Sequence, residues 1–192
     1  MTTENLIERI ERCREQVELQ PDSAAAHFNL ALAYTARGLV DRAESEYRAA
    51  IAADDNLVEA WVNLGGVLLL KWDFAGAAEA NREAIRRRED LVQAHYNLGQ
   101  AHLYQGDAQA LVTCCRRVIE LEPEHAAGHY FLAVGLLATG QVFDARVAVA
   151  HATTLGFRPM PEFLRRLEQA EASTLQLRTQ PATVVPGSSK ED

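Results

Sequence analysis

The chain repeats itself every 34 residues, and that period restricts it to one kind of architecture. Shifted by 34, Tyr34, Leu68, His102 and Leu136 fall in one column and Leu30, Leu64, Leu98 and Leu132 in a second. Ala31, Gly65, Gly99 and Ala133 make a third. A unit of this length cannot bury its own apolar face, so successive helical hairpins must stack and share one continuous core.

Bulk composition narrows the function classes. The 192 residues are 48% hydrophobic, enough for a sizeable core. A net charge of -8 opposes binding to a phosphate backbone, so no nucleic-acid partner is expected. The start of the chain has no basic region leading into an apolar run, and Glu4, Glu8 and Glu11 oppose a secretory signal, which points to a cytoplasmic location. No apolar stretch reaches the roughly 20 residues of a membrane span, so no membrane insertion is expected. Cys13, Cys114 and Cys115 are too few and too badly spaced for a disulfide framework.

Read in order, residues 4–19 place Leu6, Ile10, Cys13 and Val17 at helical spacing and predict one amphipathic helix, ended by Pro21, Asp22 and Ser23. Four units follow at 24–57, 58–91, 92–125 and 126–157. The first carries His27, Leu30, Ala31, Tyr34, Gly38, Ala43, Tyr47 and Ala50. The second has Trp61, Leu64, Gly65, Leu68 and Ala77, and the third has His95, Leu98, Gly99 and His102, closing with Pro123. The fourth has His129, Leu132, Ala133, Leu136 and Ala145.

This pattern resembles the tetratricopeptide repeat over about residues 24–157. The resemblance implies an all-α fold: a right-handed α-solenoid of four helical hairpins, with N-terminal and C-terminal capping helices over 1–23 and 158–175. Small residues such as Ala31 and Gly65 let the helices of a hairpin approach closely, and Gly38, Gly106 and Gly140 supply the positive φ of the hairpin turn. Trp72 stands where the second unit should have that glycine, which puts its turn geometry in question. The closing proline is absent where Asp55, Glu89 and Phe157 stand, so those boundaries are expected to be looser. The apolar helix of residues 142–155 needs a cover, supplied by the Phe163, Leu164, Leu167 and Ala170 face of the last helix. Residues 176–192, rich in Thr, Pro, Gly and Ser, are expected to form a disordered tail.

In the family, one stripe of each first helix lines a concave groove. Here that stripe includes Phe28, Asn29 and Leu32, then Asn63, Leu69 and Leu70, then Tyr96, Asn97, Gln100, Leu103 and Tyr104, and finally Tyr130 and Phe131. Glu59 is its lone charge, in a chain with 24% charged residues, and a solvated face would not have that composition. Two readings fit the leucines: packing between repeats, or contact with a ligand. The aromatic residues suit a surface that is wet when free and dry when bound. Asn29, Asn63 and Asn97 recur once per repeat, and an amide that both donates and accepts can hold the backbone of an extended peptide. Asparagine is also common at this place in the family for its own sake. A second mode of the family, a cationic clamp on a terminal carboxylate, has no groove Lys or Arg to serve it.

Other candidate chemistry has weaker support. His27, His95 and His129 share a packing position with Trp61, and each is explained as a core ring with one hydrogen bond. His125 and His129 have metal-like i,i+4 spacing but no third ligand fixed beside them. Cys114 and Cys115 read as small core residues. Arg86, Arg87 and Arg88, with Arg82 nearby, form a basic helix end. No phosphate loop, nucleophile elbow or carboxylate pair supports an enzyme, and no cofactor is implied. The expected function is a non-catalytic adaptor that binds a protein or peptide partner in the groove. The alternative is a self-assembling scaffold whose groove or end surface binds another copy of the chain.

Overall fold

The computed structural model describes residues 3–179, which form ten helices. They are α1 (Thr3–Leu19), α2 (Ala24–Arg37), α3 (Val40–Ala53), α4 (Val58–Leu70), α5 (Phe74–Arg87), α6 (Val92–Gln105), α7 (Ala108–Leu121), α8 (Ala126–Ala138), α9 (Val142–Thr154) and α10 (Pro161–Thr179). Each packs on its neighbours in the chain, and α4 also packs on α6 across the intervening helix. The result is an all-α solenoid of four hairpins, α2–α3, α4–α5, α6–α7 and α8–α9, flanked by α1 and α10. Among the described residues no helix is long and apolar enough to cross a membrane.

Local chemistry fixes where the helices start and stop. Ser23, Asp73 and Asp107 each accept a hydrogen bond from a backbone N–H in the first turn of the helix that follows, at 3.3, 2.9 and 2.9 Å. The hairpin turns use a left-handed residue, Gly38 at φ 75°, Gly106 at 78° and Gly140 at 79°. Trp72 adopts the same conformation at φ 62°, the one non-glycine to do so among the described residues. Its N–H bonds the Leu69 carbonyl and that of Asp73 bonds Leu68, as Gly106 and Asp107 bond Leu103 and His102. The turn geometry questioned from the sequence is therefore kept, with a tryptophan in a conformation that costs about 1–2 kcal/mol for a residue with a Cβ.

The junctions at Asp55 and Glu89 keep the same backbone bond without proline. Asp54 N–H bonds Ala50 and Arg88 N–H bonds Ala84, just as Glu122 N–H bonds Val118 ahead of Pro123. A ring N–H from the following helix reinforces the four junctions that lead into α2, α4, α6 and α8. His27 Nε2 donates to the Pro21 carbonyl at 2.8 Å, Trp61 Nε1 to Asp55 at 2.9 Å, His95 Nε2 to Glu89 at 2.9 Å and His129 Nε2 to Pro123 at 2.8 Å.

The buried apolar residues fall into two groups joined through α7, whose buried Leu111 lies against both Gly99 of α6 and Gly135 of α8. One runs from Leu30 to Cys114; the other joins Val112 and Tyr130 to Phe163 and Leu167. The second group shows what α10 does: Phe163 and Leu167 are buried with Ala145, Val149 and Ala152 of α9. This helix runs on to Thr179, past the expected end at 175. The rest of the expected tail, 180–192, lies outside the described residues.

Candidate peptide-binding site

The first helices α2, α4, α6 and α8 carry the predicted groove stripe, and its members have different environments. Phe28 is half-buried, with its ring centroid 5.9 Å from that of Tyr47, and Leu32 packs partly into the core. Asn29 is exposed beside α1. Asn63 is partly exposed and its Nδ2 donates to the Glu59 carbonyl of its own helix at 2.8 Å.

Two expected contacts turn inward. Asn97 is 5% exposed, donates to the Val62 carbonyl of α4 at 3.4 Å and accepts from Gln93 Nε2 at 2.7 Å. It joins neighbouring repeats, and its amide is occupied within the chain, so the ladder does not continue to it as a row of free amides. Tyr130 is 6% exposed, stacked on Phe157 at 4.4 Å and set edge-on to Phe163 at 5.4 Å. It belongs to the seat of α10. Burial pushes its hydroxyl pKa up, against the opposing effect of a hydrogen bond with the Met160 backbone. Tyr96 and Phe131 lie between these cases, half-buried with their ring centroids 5.8 Å apart.

Four stripe residues converge: Leu69, Leu70, Gln100 and Tyr104 line a recess of about 250 Å³ with Trp72 and Phe74. Phe74 and Tyr104 are stacked, 4.6 Å apart with planes 8° from parallel, and Trp72 stands edge-on to both at 5.9 and 5.8 Å. Trp72 is 73% exposed, Leu70 63% and Tyr104 57%. The platform has an explicit origin in the turn: the left-handed Trp72 lets α5 begin at once, and Phe74, its first residue, faces Tyr104 from the next hairpin. Trp72 entered the sequence reading as an irregular turn residue, and Phe74 did not enter it. Their signal was an aromatic in a glycine column followed two residues later by another.

The same place one repeat on is nearly filled. Leu103, Gly106, Ala108, Val134 and Ala138, each 34 residues after its counterpart, line a hole of about 100 Å³ with Leu111.

Charge is balanced around this face. Glu59, the one acid of the stripe, meets Arg88 at 2.9 Å, and its own backbone N–H and then Arg88 hold its pKa below the ordinary value. Lys71 beside the platform is tied to Asp41 and Glu44 at 2.6 and 2.7 Å. Arg87 pairs with Glu83 at 2.6 Å and lies 4.9 Å over the Trp61 ring, while Arg86 also pairs with Glu83. Most of the basic helix end is thus engaged in ion pairs.

The groups considered for catalysis or metal binding have structural work. Cys114 and Cys115 are buried, and desolvation pushes their thiols up to about 11 and about 12, far from the thiolate a nucleophile or ligand requires. His125 Nδ1 accepts the Gly128 N–H at 2.9 Å and caps α8. His27 has a second bond, to Glu46 at 2.6 Å, beyond the single one expected. Among the described residues no group of three or more His, Cys, Asp or Glu is arranged to hold a metal.

Stacked hairpins with exposed aromatic rings and a single acid on the face of the first helices define a helical-repeat scaffold. Family models described as tetratricopeptide repeat match residues 8–58, 40–91 and 92–125, and the chain belongs to that family. No curated protein matches it. Among solved structures, YrrB, described as a tetratricopeptide repeat protein with an unusual peptide-binding site, is 18% identical, with 86% of this chain and 85% of that one covered at a TM-score of 0.75. The pilF protein of Pseudomonas aeruginosa is 20% identical over 91% and 83% of the chains, with a TM-score of 0.72. MamA of Desulfovibrio magneticus RS-1 is 17% identical over 88% and 86%, at 0.69. At these identities the likeness shows the fold.

Proposed function

We propose that this protein is a non-catalytic adaptor that holds a peptide segment of a partner on the face formed by its first helices, anchored at the Trp72–Phe74–Tyr104 platform. The fold supports protein–protein interaction in general, and the aromatic platform carries the finer reading. Three rings and two leucines around an open recess are costly to leave in water and sit in the kind of place where binding energy concentrates. An apolar ligand side chain enters the recess, and the Gln100 amide at its edge pairs with the peptide backbone. The exposed Asn29 and the partly exposed Asn63 extend the polar track toward the N-terminal end. Aromatic rings lose little conformational entropy on binding, which suits an anchor.

The experiment is to place a photoreactive phenylalanine analogue at Tyr104, identify the cross-linked partner segment by mass spectrometry, and titrate that segment by calorimetry. Tyr104→Ala is expected to weaken it by about 2 kcal/mol. Asn63→Ala is expected to cost about 1 kcal/mol. With no free charge on this face, affinity should change little between low and physiological salt. Unchanged affinity in Tyr104→Ala would refute the platform. Scattering mass that rises with protein concentration, with the cross-link going to the chain itself, would show self-assembly instead.

A further inference from the structure

A second opening lies on another face. Between α5 and α7, with α6 as floor, is a groove of about 730 Å³. Ile85, Leu98 and Cys114 supply apolar lining, and Arg82, Arg86, Arg116 and Arg117 reach it from both sides. Four guanidinium groups meet two carboxylates there, Glu89 and Glu120, in a chain whose net charge is -8.

The arginines are not equivalent. Arg86 pairs with Glu83, and Arg117 meets Glu120 at 3.1 Å. No carboxylate among the described residues lies within ion-pair distance of Arg82 or Arg116. Arg82 Nη2 instead contacts His102 Nε2 at 3.4 Å, a ring that burial first and the Arg82 charge second hold below its ordinary pKa. A neutral ring orients Arg82 without cancelling its charge. Arg82 and Arg116 stand 34 residues apart, the same place in successive second helices, and Arg48, one period earlier, is paired with Glu44. The two cations of this column without an acidic partner therefore both border this groove, with Arg116 on the ridge it shares with the α7–α9 groove.

Neighbouring grooves lack this combination. Ahead of it, the Trp61 ring lies under Arg87, whereas the smaller His95 leaves its groove open. The groove between α7 and α9 measures about 300 Å³, has Asp144 on its wall, and the chain carries Ala150 one period after Arg116.

We infer that the α5–α7 groove docks an acidic peptide segment, its carboxylates paired with Arg82 and Arg116 and an aliphatic or aromatic side chain seated on Ile85, Leu98 and Cys114. Planar guanidinium groups pair bidentately with carboxylates, and partly exposed arginines lose less hydration in doing so than buried ones. The apolar floor of Ile85, Leu98 and Cys114 favours such a segment over nucleic acid, whose sugars and phosphates would gain little from it. This site is independent of the aromatic platform.

The test applies the full chain, fluorescently labelled, to an array of short peptides that each contain one Leu or Phe, in acidic, Gln-substituted neutral and basic classes. A single-stranded oligonucleotide serves as competitor. Binding confined to the acidic class is expected, falling about tenfold from low to physiological salt. Arg82→Glu with Arg116→Glu should abolish it, and Arg82→Gln with Arg116→Gln should weaken it at least about fivefold with helical content unchanged. Tyr104→Ala should leave it intact. Equal binding of neutral peptides, binding retained in the Gln pair, efficient competition by the oligonucleotide, or no binding to any class would overturn the inference.

Discussion

The second hairpin, α4–α5, and the third, α6–α7, share a backbone plan and differ in what they place on it. At the turn, Trp72 and Phe74 of one stand where the other has Gly106 and Ala108. In the core, Asn81 of one stands where the other has Cys115. The third hairpin follows the repeat's economy, with a free-φ turn and a small apolar contact under Gly99. The second departs twice: it puts rings on the surface, and it buries an amide whose Oδ1 has no hydrogen-bond partner while its Nδ2 bonds Ala77. The difference teaches that the small-residue columns hold the scaffold together and leave other positions free for costly residues. The exposed departure is the one on which the proposed peptide site rests.

Both hairpins are interior, so the comparison first depends on the end of the stack. A chain stopped before Met160 loses Phe163 and Leu167 from the α9 face, about 1.5–3 kcal/mol of burial each, and should aggregate or lose helicity by circular dichroism. Stopping at Gln176 should do neither. Equal stability of the two truncations would remove the capping role of α10.

The core difference comes next in size. A Cβ on Gly65 would fall 2.0 Å from Asn81 Nδ2, whereas one on Gly99 would meet Cys114 Cβ at 3.3 Å. Gly65→Ala should cost about 1–3 kcal/mol in urea denaturation, and Gly99→Ala should stay within about 0.5 kcal/mol because helix propensity offsets the tighter contact. Giving the second hairpin the third's residue, Asn81→Cys, should restore most of the loss in Gly65→Ala. Equal effects at the two glycines would break the contrast.

At the turn, Trp72→Gly should raise stability by up to about 1 kcal/mol as the left-handed strain is released, partly offset by lost ring contacts. The same change should weaken the partner segment identified at Tyr104. A gain in stability without loss of affinity would make the tryptophan ornamental to binding.

The smallest effect concerns protonation. Burial opposes charge on His27, but the bonds to Glu46 and to the Pro21 carbonyl, with nearby carboxylates, outweigh it and raise its pKa above 6.5. The folded state therefore holds the proton more tightly than the unfolded chain. This contribution is complete below about 6.5 and disappears as pH rises through the raised value. His27→Trp, the second hairpin's residue, keeps a ring N–H and cannot titrate. Its stability relative to the parent should improve across that window by well under about 1 kcal/mol, measured as melting temperature against pH. A flat difference would dismiss the Glu46 link.

The hairpins were legible because every unit restates the same columns, and a pattern repeated four times fixes helix starts near Ala24, Val58, Val92 and Ala126. Placement on the face of the first helices was legible where one helix decides it, as for Leu69, Gln100 and Tyr104. It was not legible where a neighbouring element decides. Asn97 turns inward because Val62 of the preceding repeat offers a carbonyl, and Tyr130 is covered because α10 lands on it. Phe74 escaped notice because it begins a second helix and gains its role from a ring thirty positions on in the chain.

The ring-to-carbonyl bonds at the junctions bear on how such a chain tolerates mutation. Their acceptors are the carbonyls of Pro21, Asp55, Glu89 and Pro123, a column that holds proline in two of four places. A carbonyl is present whatever side chain sits beside it, and an indole or an imidazole of either charge still presents a ring N–H. The geometry of each junction is thus inherited through the ring on the following helix. The loop residues can drift through generations of substitutions without changing the angle at which one hairpin meets the next.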